Sequence, residues 1–183
     1  MFNKPDNIKI KLEGREYQWD WEKWIDLKSF IQIPILIASK LNLKLKESII
    51  TGEIDLSNLE IKDLTTIASN FKEAGAPEDS PSFKDIAALE IAVFIIDKLI
   101  LTKDSRDSCA LTVLCSVLRK LDKPEEALER TKDYAYPFPA LFTTRAAAMC
   151  DLELWAEAKH EVGIALAIEK NPLEKNEAFN VVK

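Results

Sequence analysis

Apolar and polar residues alternate with a period of two in the first part of the chain. Segment 8–12 (IKIKL) alternates in this way, segment 17–21 (YQWDW) alternates again, and Glu13-Gly14-Arg15 separates them. Because successive side chains of a strand point to opposite faces, this pattern around a glycine-containing turn predicts a β-hairpin. A hairpin alone is marginally stable in water, so we expect its apolar face to pack on helices.

The hairpin region is rich in aromatic residues, which allow two interpretations. Such side chains form either a platform on which bases or a peptide stack, or part of the protein's own core. The acidic neighbours Asp20 and Glu22 argue against a nucleic-acid platform. The core interpretation is therefore favoured. The aromatic residues concerned are Tyr17, Trp19, Trp21 and Trp24.

Beyond the hairpin, the apolar residues take the spacing of helices. This spacing predicts one helix over 21–31. A second helix is predicted to start at Pro34, a residue type favoured in a first turn, and to end near Leu43. Segment 44–50 fits either a strand or a short helix, and Gly52 ends it.

The next segment has the features of a complete helix. Ser57 and Glu60 have the spacing of a capping box, and Gly75 stands where helices commonly end. Between them runs one apolar stripe, which predicts a buried face. The stripe consists of Leu64, Ile67, Ala68 and Phe71.

A linker-like segment, 75–82 (GAPEDSPS), then divides the chain. It predicts an N-terminal part over 1–75, made of the β-hairpin and helices, and a helical part over 80–183, unless the two form one continuous fold. The Ser80-Pro81 pair is typical of a helix N-terminus. The helix expected from there to about Leu101 is apolar nearly all round, so we expect it to be buried as a central strut.

Two similar helical pairs are predicted downstream. The first has its N-cap at Ser105 and ends near Tyr136, and the second occupies 139–169. Glu126-Ala127-Leu128 aligns with Glu157-Ala158-Lys159 at an offset of 31 residues. This offset is close to the period of helix–turn–helix repeats.

The two pairs, over about Ser108 to Glu169, resemble tetratricopeptide repeats (TPRs). In the second copy the matching large residues are Phe142, Met149, Trp155 and Val162, and the matching small residues are Ala146, Ala158 and Ala165. The first copy matches at Leu111, Cys115, Leu118, Pro124 and Ala127 and departs at Thr131 and Tyr134. Neither copy has the usual turn glycine, since Asp122 and Glu153 stand there.

The resemblance implies a mainly α fold, in which antiparallel helical hairpins stack as a short TPR-like solenoid with the β-hairpin packed on helices. We expect the matching residues to lie in the core, with Phe142 and Trp155 filling the space around the small ones. Because two repeats bury a solenoid's faces incompletely, we also expect a capping helix over Leu173–Val182.

Composition and charge narrow the possible partners. The net charge of the 183 residues is −6. Phosphate contacts need a basic surface, so direct binding of nucleic acid is disfavoured. The odd set of Cys109, Cys115 and Cys150 is interpreted as small buried side chains in a reducing compartment. With no signal peptide and no apolar run long enough to span a bilayer, we expect a soluble cytoplasmic protein without membrane contact.

The sequence contains no pattern typical of a catalytic site. Its four glycines are too scattered for a nucleotide-binding loop, and its single histidine, His160, lies among charged residues. One histidine with dispersed thiols makes neither a metal site nor a catalytic pair. We therefore expect no enzymatic activity, no cofactor and no metal.

In proteins with this repeat, the inner helices line a concave groove that holds a peptide or a partner helix. Arg119 and Lys120 would bind a partner carboxylate there by charge-assisted hydrogen bonds, or would be solvated charges favoured by the helix dipole. The groove residues that the resemblance implies are Thr112, Ser116, Arg119, Lys120, Thr143, Ala147 and Asp151, with Cys109 and Ala140 beside them.

Two functions follow as hypotheses. The first is a protein–protein interaction adaptor that binds a peptide or partner protein through this TPR-like groove. The alternative is a structural or accessory subunit of a larger multiprotein or nucleoprotein complex, with contacts through the aromatic N-terminal region and the repeat face.

Overall fold

The computed structural model of this chain forms two compact units, Met1–Leu99 and Ile100–Lys183. It describes residues 8–20, 23–28, 33–77 and 83–170. The described part is mainly helical, with one small antiparallel sheet. The boundary between the units falls after Leu99, further along the chain than the linker-like segment, because the helix after that segment packs with the helices before it.

The elements follow one another in a simple order. The first unit contains β1 (Ile8–Leu12), β2 (Arg15–Trp19), β3 (Trp24–Asp26), α1 (Ile35–Ile50), α2 (Ile61–Gly75) and α3 (Ile86–Phe94), which continues as a π-helical segment, Ile95–Ile100. The second unit contains α4 (Ser108–Lys120), α5 (Pro124–Arg130), α6 (Pro139–Asp151) and α7 (Trp155–Lys170). The predicted capping helix over Leu173–Val182 lies outside the described residues.

The predicted β-hairpin is confirmed, and a third strand extends it. β1 and β2 pair antiparallel, and Glu13 and Gly14 turn the chain with φ of 50° and 78°. β3 pairs with β2, where Trp24 lies opposite Trp19. The helix predicted over 21–31 is therefore wrong at 24–26. In so short an apolar segment the spacing does not separate helix from strand, and the open edge of β2 provides the backbone partners that decide it.

The aromatic residues of the sheet form the core of the first unit. Trp19 stacks on Phe71 of α2 with ring centroids 4.9 Å apart, and Trp24 lies 5.4 Å from Trp19. Tyr17, Trp19 and Trp24 are all buried. The core interpretation is confirmed for these three, whereas Trp21 lies outside the described residues.

A buried chain of hydrogen bonds joins the sheet to two helices. The indole Nε1 of Trp24 donates to Oδ1 of Asn42 (2.7 Å), and Nδ2 of Asn42 donates to Oδ2 of Asp85 (2.9 Å). Asp85 also caps α3, since its Oδ1 accepts from the backbone N–H of Ala88. These polar groups have little access to water, so each depends on its partner to offset its desolvation.

Several predicted helix ends differ in the first unit. The second predicted helix runs on through the ambiguous segment 44–50, so α1 is one helix that ends at Ile50. The capping box at Ser57 is wrong, because α2 begins at Ile61 and Glu60 makes no side-chain cap. The helix expected from Ser80-Pro81 begins at Ile86 instead, where Asp85 supplies the cap.

The burial predicted for α2 is confirmed, whereas the next helix is buried on one side only. The apolar stripe of α2 is buried. In the next helix Ile86 is 48% exposed, and Ala87, Val93 and Phe94 are half-buried. The buried residues are Leu64, Ile67, Ala68 and Phe71 in α2, and Ala88, Leu89, Ile91, Ala92, Ile95, Ile96 and Ile100 in α3 and its continuation.

Gly75 has a steric role that its position at a helix end does not suggest. It is the last residue of α2, where a Cβ atom would lie 2.7 Å from Cγ of Leu89 and 3.1 Å from the carbonyl oxygen of Asp85. Leu89 is fully buried. A glycine at this position is therefore what allows α2 and α3 to approach so closely.

The same turn geometry occurs twice in the second unit, once after α4 and once after α6. Asp122 and Glu153 end α4 and α6 with φ of 59° and 60°. In the first turn the N–H of Lys123 donates to the carbonyl of Leu118, and in the second the N–H of Leu154 donates to that of Met149, both at 2.9 Å. The left-handed residue at the helix end is the device that glycine usually provides. The 31-residue offset of the sequence is thus also an offset of backbone geometry.

Two helix ends of the second unit were predicted incorrectly. α4 is capped by Asp107, whose Oδ1 accepts from the N–H of Ala110 at 2.7 Å, and not by Ser105. α5 ends at Arg130, so the predicted extension to Tyr136 is wrong. The hydroxyl of Thr131 donates to the carbonyl of Ala127. The segment after it returns to the residues that precede α4, where the N–H of Ala135 donates to the carbonyl of Arg106.

The small repeat positions are in the core, but two large ones are not. Ala146, Ala158 and Ala165 are buried, as is Phe142. Trp155, by contrast, is 63% exposed, and Val162 is also exposed. The expectation that both lie in the core is wrong, because α7 turns its small residues toward α6 and no described helix follows α7 to cover its other side.

Arg145 connects three helices of the second unit. Its Nε and Nη2 donate to Oε1 of Glu161 on α7, each at 3.2 Å, and both side chains are only 12% exposed. Its Nη1 donates to the carbonyl of Leu128 on α5 and to the hydroxyl of Thr131. One side chain of α6 thereby bonds to polar groups of both neighbours, although Oε2 of Glu161 is buried without a hydrogen-bond partner.

We expect Gly75→Ala to destabilise the first unit by ~1–3 kcal/mol, because a fully buried leucine must move to admit the methyl group. Urea unfolding followed by circular dichroism measures this change. Gly163→Ala is the matched control: its Cβ meets nothing within 4 Å in α7, so it should be neutral or stabilising by up to ~1 kcal/mol. Equal stability of Gly75→Ala and the unmodified chain would contradict the close approach.

We expect Arg145→Met to destabilise the second unit by ~3–5 kcal/mol, since it leaves the Glu161 carboxylate without its partner in a nearly buried place. The same substitution at Arg119, whose ion pair is half exposed, should cost no more than ~1 kcal/mol. Chemical unfolding of both variants tests the contrast. Similar losses at the two positions would be incompatible with the role of Arg145.

Candidate functional site: a pocket at the ends of α4 and α6

The C-terminal ends of α4 and α6 lie side by side because each helical pair of the second unit packs on the other. The end of α4 carries Ser116, Arg119 and Lys120, and the end of α6 carries Asp151. With Asp122 and Pro124 of the intervening turn, these residues line an open pocket of about 610 Å³. Four of the seven groove residues predicted from the sequence thus meet at one place.

Arg119 and Asp151 form a bidentate ion pair across this pocket. Nε of Arg119 lies 2.6 Å from Oδ2 of Asp151, and Nη2 lies 3.1 Å from Oδ1. Both side chains are half exposed. The sequence predicts a partner carboxylate or solvent beside Arg119. The structure instead shows an internal carboxylate, which already occupies the geometry that a partner's carboxylate would need.

The remaining predicted groove residues lie outside the pocket. The hydroxyl of Thr112 donates to the carbonyl of Ser108, and that of Thr143 donates to the carbonyl of Ala140. Such bonds to the preceding turn direct the hydroxyl groups back to their own helices. Ala147 is half-buried.

Cys109, at the start of α4, contacts Tyr136, with its Sγ 3.7 Å from the tyrosine hydroxyl. This hydrogen bond, together with burial, raises the pKa of Tyr136 to about 12. Burial also raises the pKa of the neighbouring Tyr134, whose ring packs edge-on against Phe142. Both phenols therefore remain neutral at physiological pH.

Two lining residues were missed by sequence reasoning. The sequence places Asp122 at the turn after α4 and Pro124 at a matching repeat position, and their place at the pocket follows from the packing of α6 beside that turn. Their positions in the sequence could have indicated this, because a turn that follows a groove-lining helix lies at the edge of the groove. With Asp151, Asp122 gives the pocket two acidic residues beside its two basic ones.

The three cysteines differ in environment. Cys115 lies fully buried on α4, and burial raises the pKa of its thiol to about 11. Cys109 is half-buried, whereas Cys150 is exposed, so the prediction of burial is wrong for Cys150. Each thiol is free.

Other features of the described chain add no second chemical centre. His160 is exposed on α7, as its charged neighbours suggest. No cluster of three or more His, Cys, Asp or Glu side chains among the described residues is arranged to hold a metal ion. Within the same residues, no helix is both long and apolar enough to cross a membrane.

Comparisons with known proteins add no relative to this description. No protein-family model, curated protein sequence or solved structure matches the chain.

We expect Cys150 of the native protein to react rapidly with an aromatic disulfide reagent at about pH 8, and Cys115 to react only after unfolding, since its raised pKa and burial both withhold the thiolate. Absorbance of the released thiol, with and without denaturant, measures the two classes. In a Cys109→Ser background, which removes the half-buried thiol, Cys150→Ser should remove the fast phase. A fast phase that persists in this variant and disappears in Cys115→Ser would contradict the assignment.

Proposed function

We propose that this protein is a protein–protein interaction adaptor that binds an acidic or C-terminal peptide segment at the pocket between α4 and α6. The observation that carries the proposal is the meeting of Ser116, Arg119, Lys120 and Asp151 in one open concavity. Residues 31 or 32 apart come together there because the helical pairs repeat. The TPR-like groove inferred from the sequence is part of this proposal.

The two cations of the pocket, Arg119 and Lys120, support a peptide carboxylate as the bound group, against the opposing charges of Asp122 and Asp151. Arg119 contributes a planar guanidinium with five donors, of which Asp151 engages those on Nε and Nη2. Lys120 adds a second cation at the same rim. A ligand carboxylate would bind by sharing Arg119 with Asp151 or by displacing it, so Asp151 acts as an internal competitor that limits affinity and excludes weak anions.

A role as a structural subunit of a larger assembly is a second candidate, with a different surface. Tyr17, Trp19 and Trp24 are buried, so this part of the aromatic N-terminal region offers no contact. The repeat face is better suited, since Trp155, Val162 and Leu166 of α7 are exposed along one side of that helix. Exposed apolar side chains in a row are typical of protein interfaces.

We expect the double variant Arg119→Glu and Lys120→Glu to lose binding to peptides with a free C-terminal carboxylate, because it replaces both cations of the pocket. Binding is measured on a peptide library with free and amidated C-termini, and circular dichroism checks the fold. Lys159→Glu with Lys170→Glu, on the exposed face of α7, is a control with the same change in charge.

A charge-swapped variant separates recognition from folding. Arg119→Asp with Asp151→Arg keeps an ion pair across the pocket but moves the guanidinium to α6. The proposal expects altered peptide preference at unchanged stability. Undiminished capture by the double-glutamate variant would contradict it. Equal binding of free and amidated peptides would instead assign the bound carboxylate to an acidic side chain.

A further inference from the structure

The outer face of α1 carries an apolar ladder that the core does not use. Leu36, Leu43 and Ile50 recur every seven residues, and their side chains are 73%, 51% and 55% exposed. The buried residues of the same helix, Leu41, Asn42, Leu45 and Ile49, lie on the opposite side. A seven-residue spacing keeps side chains on one line of a helix, as in the seam of a coiled coil.

The ladder runs along most of the exposed side of α1. From Leu36 to Ile50 it extends about 21 Å along the helix, at 1.5 Å per residue. Single exposed leucines are ordinary on protein surfaces, whereas three on one line of a helix, with polar side chains between them, form an aligned surface that a second helix can contact. The helix turns its buried side to β1 and α3, so the ladder faces away from the first unit's core.

Charged residues flank the ladder in an order that complements itself. Lys40 and Glu47 lie on the same side of the ladder, one between each pair of rungs, and both are exposed. If two copies of α1 pack antiparallel with Leu43 at the centre, Leu36 meets Ile50 of the second copy. In this arrangement each flank of one α1 faces the same flank of the second α1. Lys40 of each copy therefore faces Glu47 of the other.

We propose that the α1 ladder is an interface between two copies of this chain, with the two α1 helices antiparallel about a two-fold axis through Leu43. The interface is isologous, as in most homodimers, because a single surface meets itself. Its two symmetric Lys40–Glu47 pairs favour the antiparallel arrangement. In a parallel pair the two-fold axis would run along the helices and bring opposite flanks together, so Lys40 and Glu47 of the two copies would not meet.

Neighbouring contacts within one chain are compatible with this packing. The ammonium of Lys40 lies 3.0 Å from Oε1 of Glu13 in an exposed pair, which costs little to share or exchange. On the other flank, Lys46 is paired with Glu90 at 2.6 Å. Its charge is therefore already balanced where it would approach the second copy.

Light scattering and sedimentation of the full chain test the proposal. We expect a dimer of twice the 20.7 kDa chain mass at micromolar concentration, and monomers for Leu43→Glu, since this variant places two carboxylates together at the axis. Ile86→Glu is the matched control: Ile86 is 48% exposed on α3, outside the ladder, and its variant should remain dimeric.

Charge reversal tests the antiparallel register. Lys40→Glu or Glu47→Lys alone should raise the dimer dissociation constant roughly tenfold, and the two together should restore it, because only the combination rebuilds complementary pairs. In a Cys150→Ser background, Leu43→Cys should form a disulfide-linked dimer on mild oxidation. A chain that is monomeric at every concentration, a dimer that survives Leu43→Glu, or a ladder that instead binds a different protein would overturn the proposal.

Discussion

The second unit depends on the pairing of Arg145 with Glu161. A guanidinium that is almost buried must find acceptors for its donors, and here one carboxylate, one backbone carbonyl and one hydroxyl provide them. These acceptors belong to α7, to α5 and to Thr131, which directly follows α5. The requirement to satisfy this charge fixes how the two helical pairs pack. The position of the pocket follows, since it lies where α6 passes the end of α4.

A comparable constraint acts in the first unit through neutral and acidic groups. Asn42 sits in the middle of α1 with both ends of its amide engaged, by the indole of Trp24 and by Asp85. An apolar side chain at this position would leave a buried N–H and a buried carboxylate oxygen without partners. The contact between sheet, α1 and α3 is thus specific as well as apolar. The close approach at Gly75 extends the same packing to α2.

The repeat explains why equivalent positions differ in exposure. Thr131 follows α5 and is fully buried beneath Arg145 of the next pair, whereas Val162, 31 residues further on, is exposed on α7. The side chains differ accordingly, since the buried position carries a hydroxyl that accepts from the guanidinium. The second pair covers one side of the first pair, whereas no described helix covers the equivalent side of the second pair. Trp155 is exposed for the same reason.

Local patterns in the sequence determined much of the architecture by themselves. Period-two alternation located β1 and β2, the apolar stripe of α2 located its buried face, and the 31-residue offset located two equivalent turns. Such features depend on residues a few positions apart, so one sequence contains them. Asp122 and Glu153 were even recognised as turn residues without the usual glycine.

Tertiary packing decided the remainder. Strand β3 exists because β2 offers it a free edge. The caps of α3 and α4 are Asp85 and Asp107 and not the predicted Ser80 and Ser105, because packing sets where these helices begin. Arg119 pairs with Asp151 only because α4 and α6 lie side by side, a contact that no spacing along the chain displays. The exposure of Trp155, and of the ladder on α1, depends on which helices happen to cover those sides. A sequence specifies which faces are apolar, whereas only the folded chain decides which of them are covered.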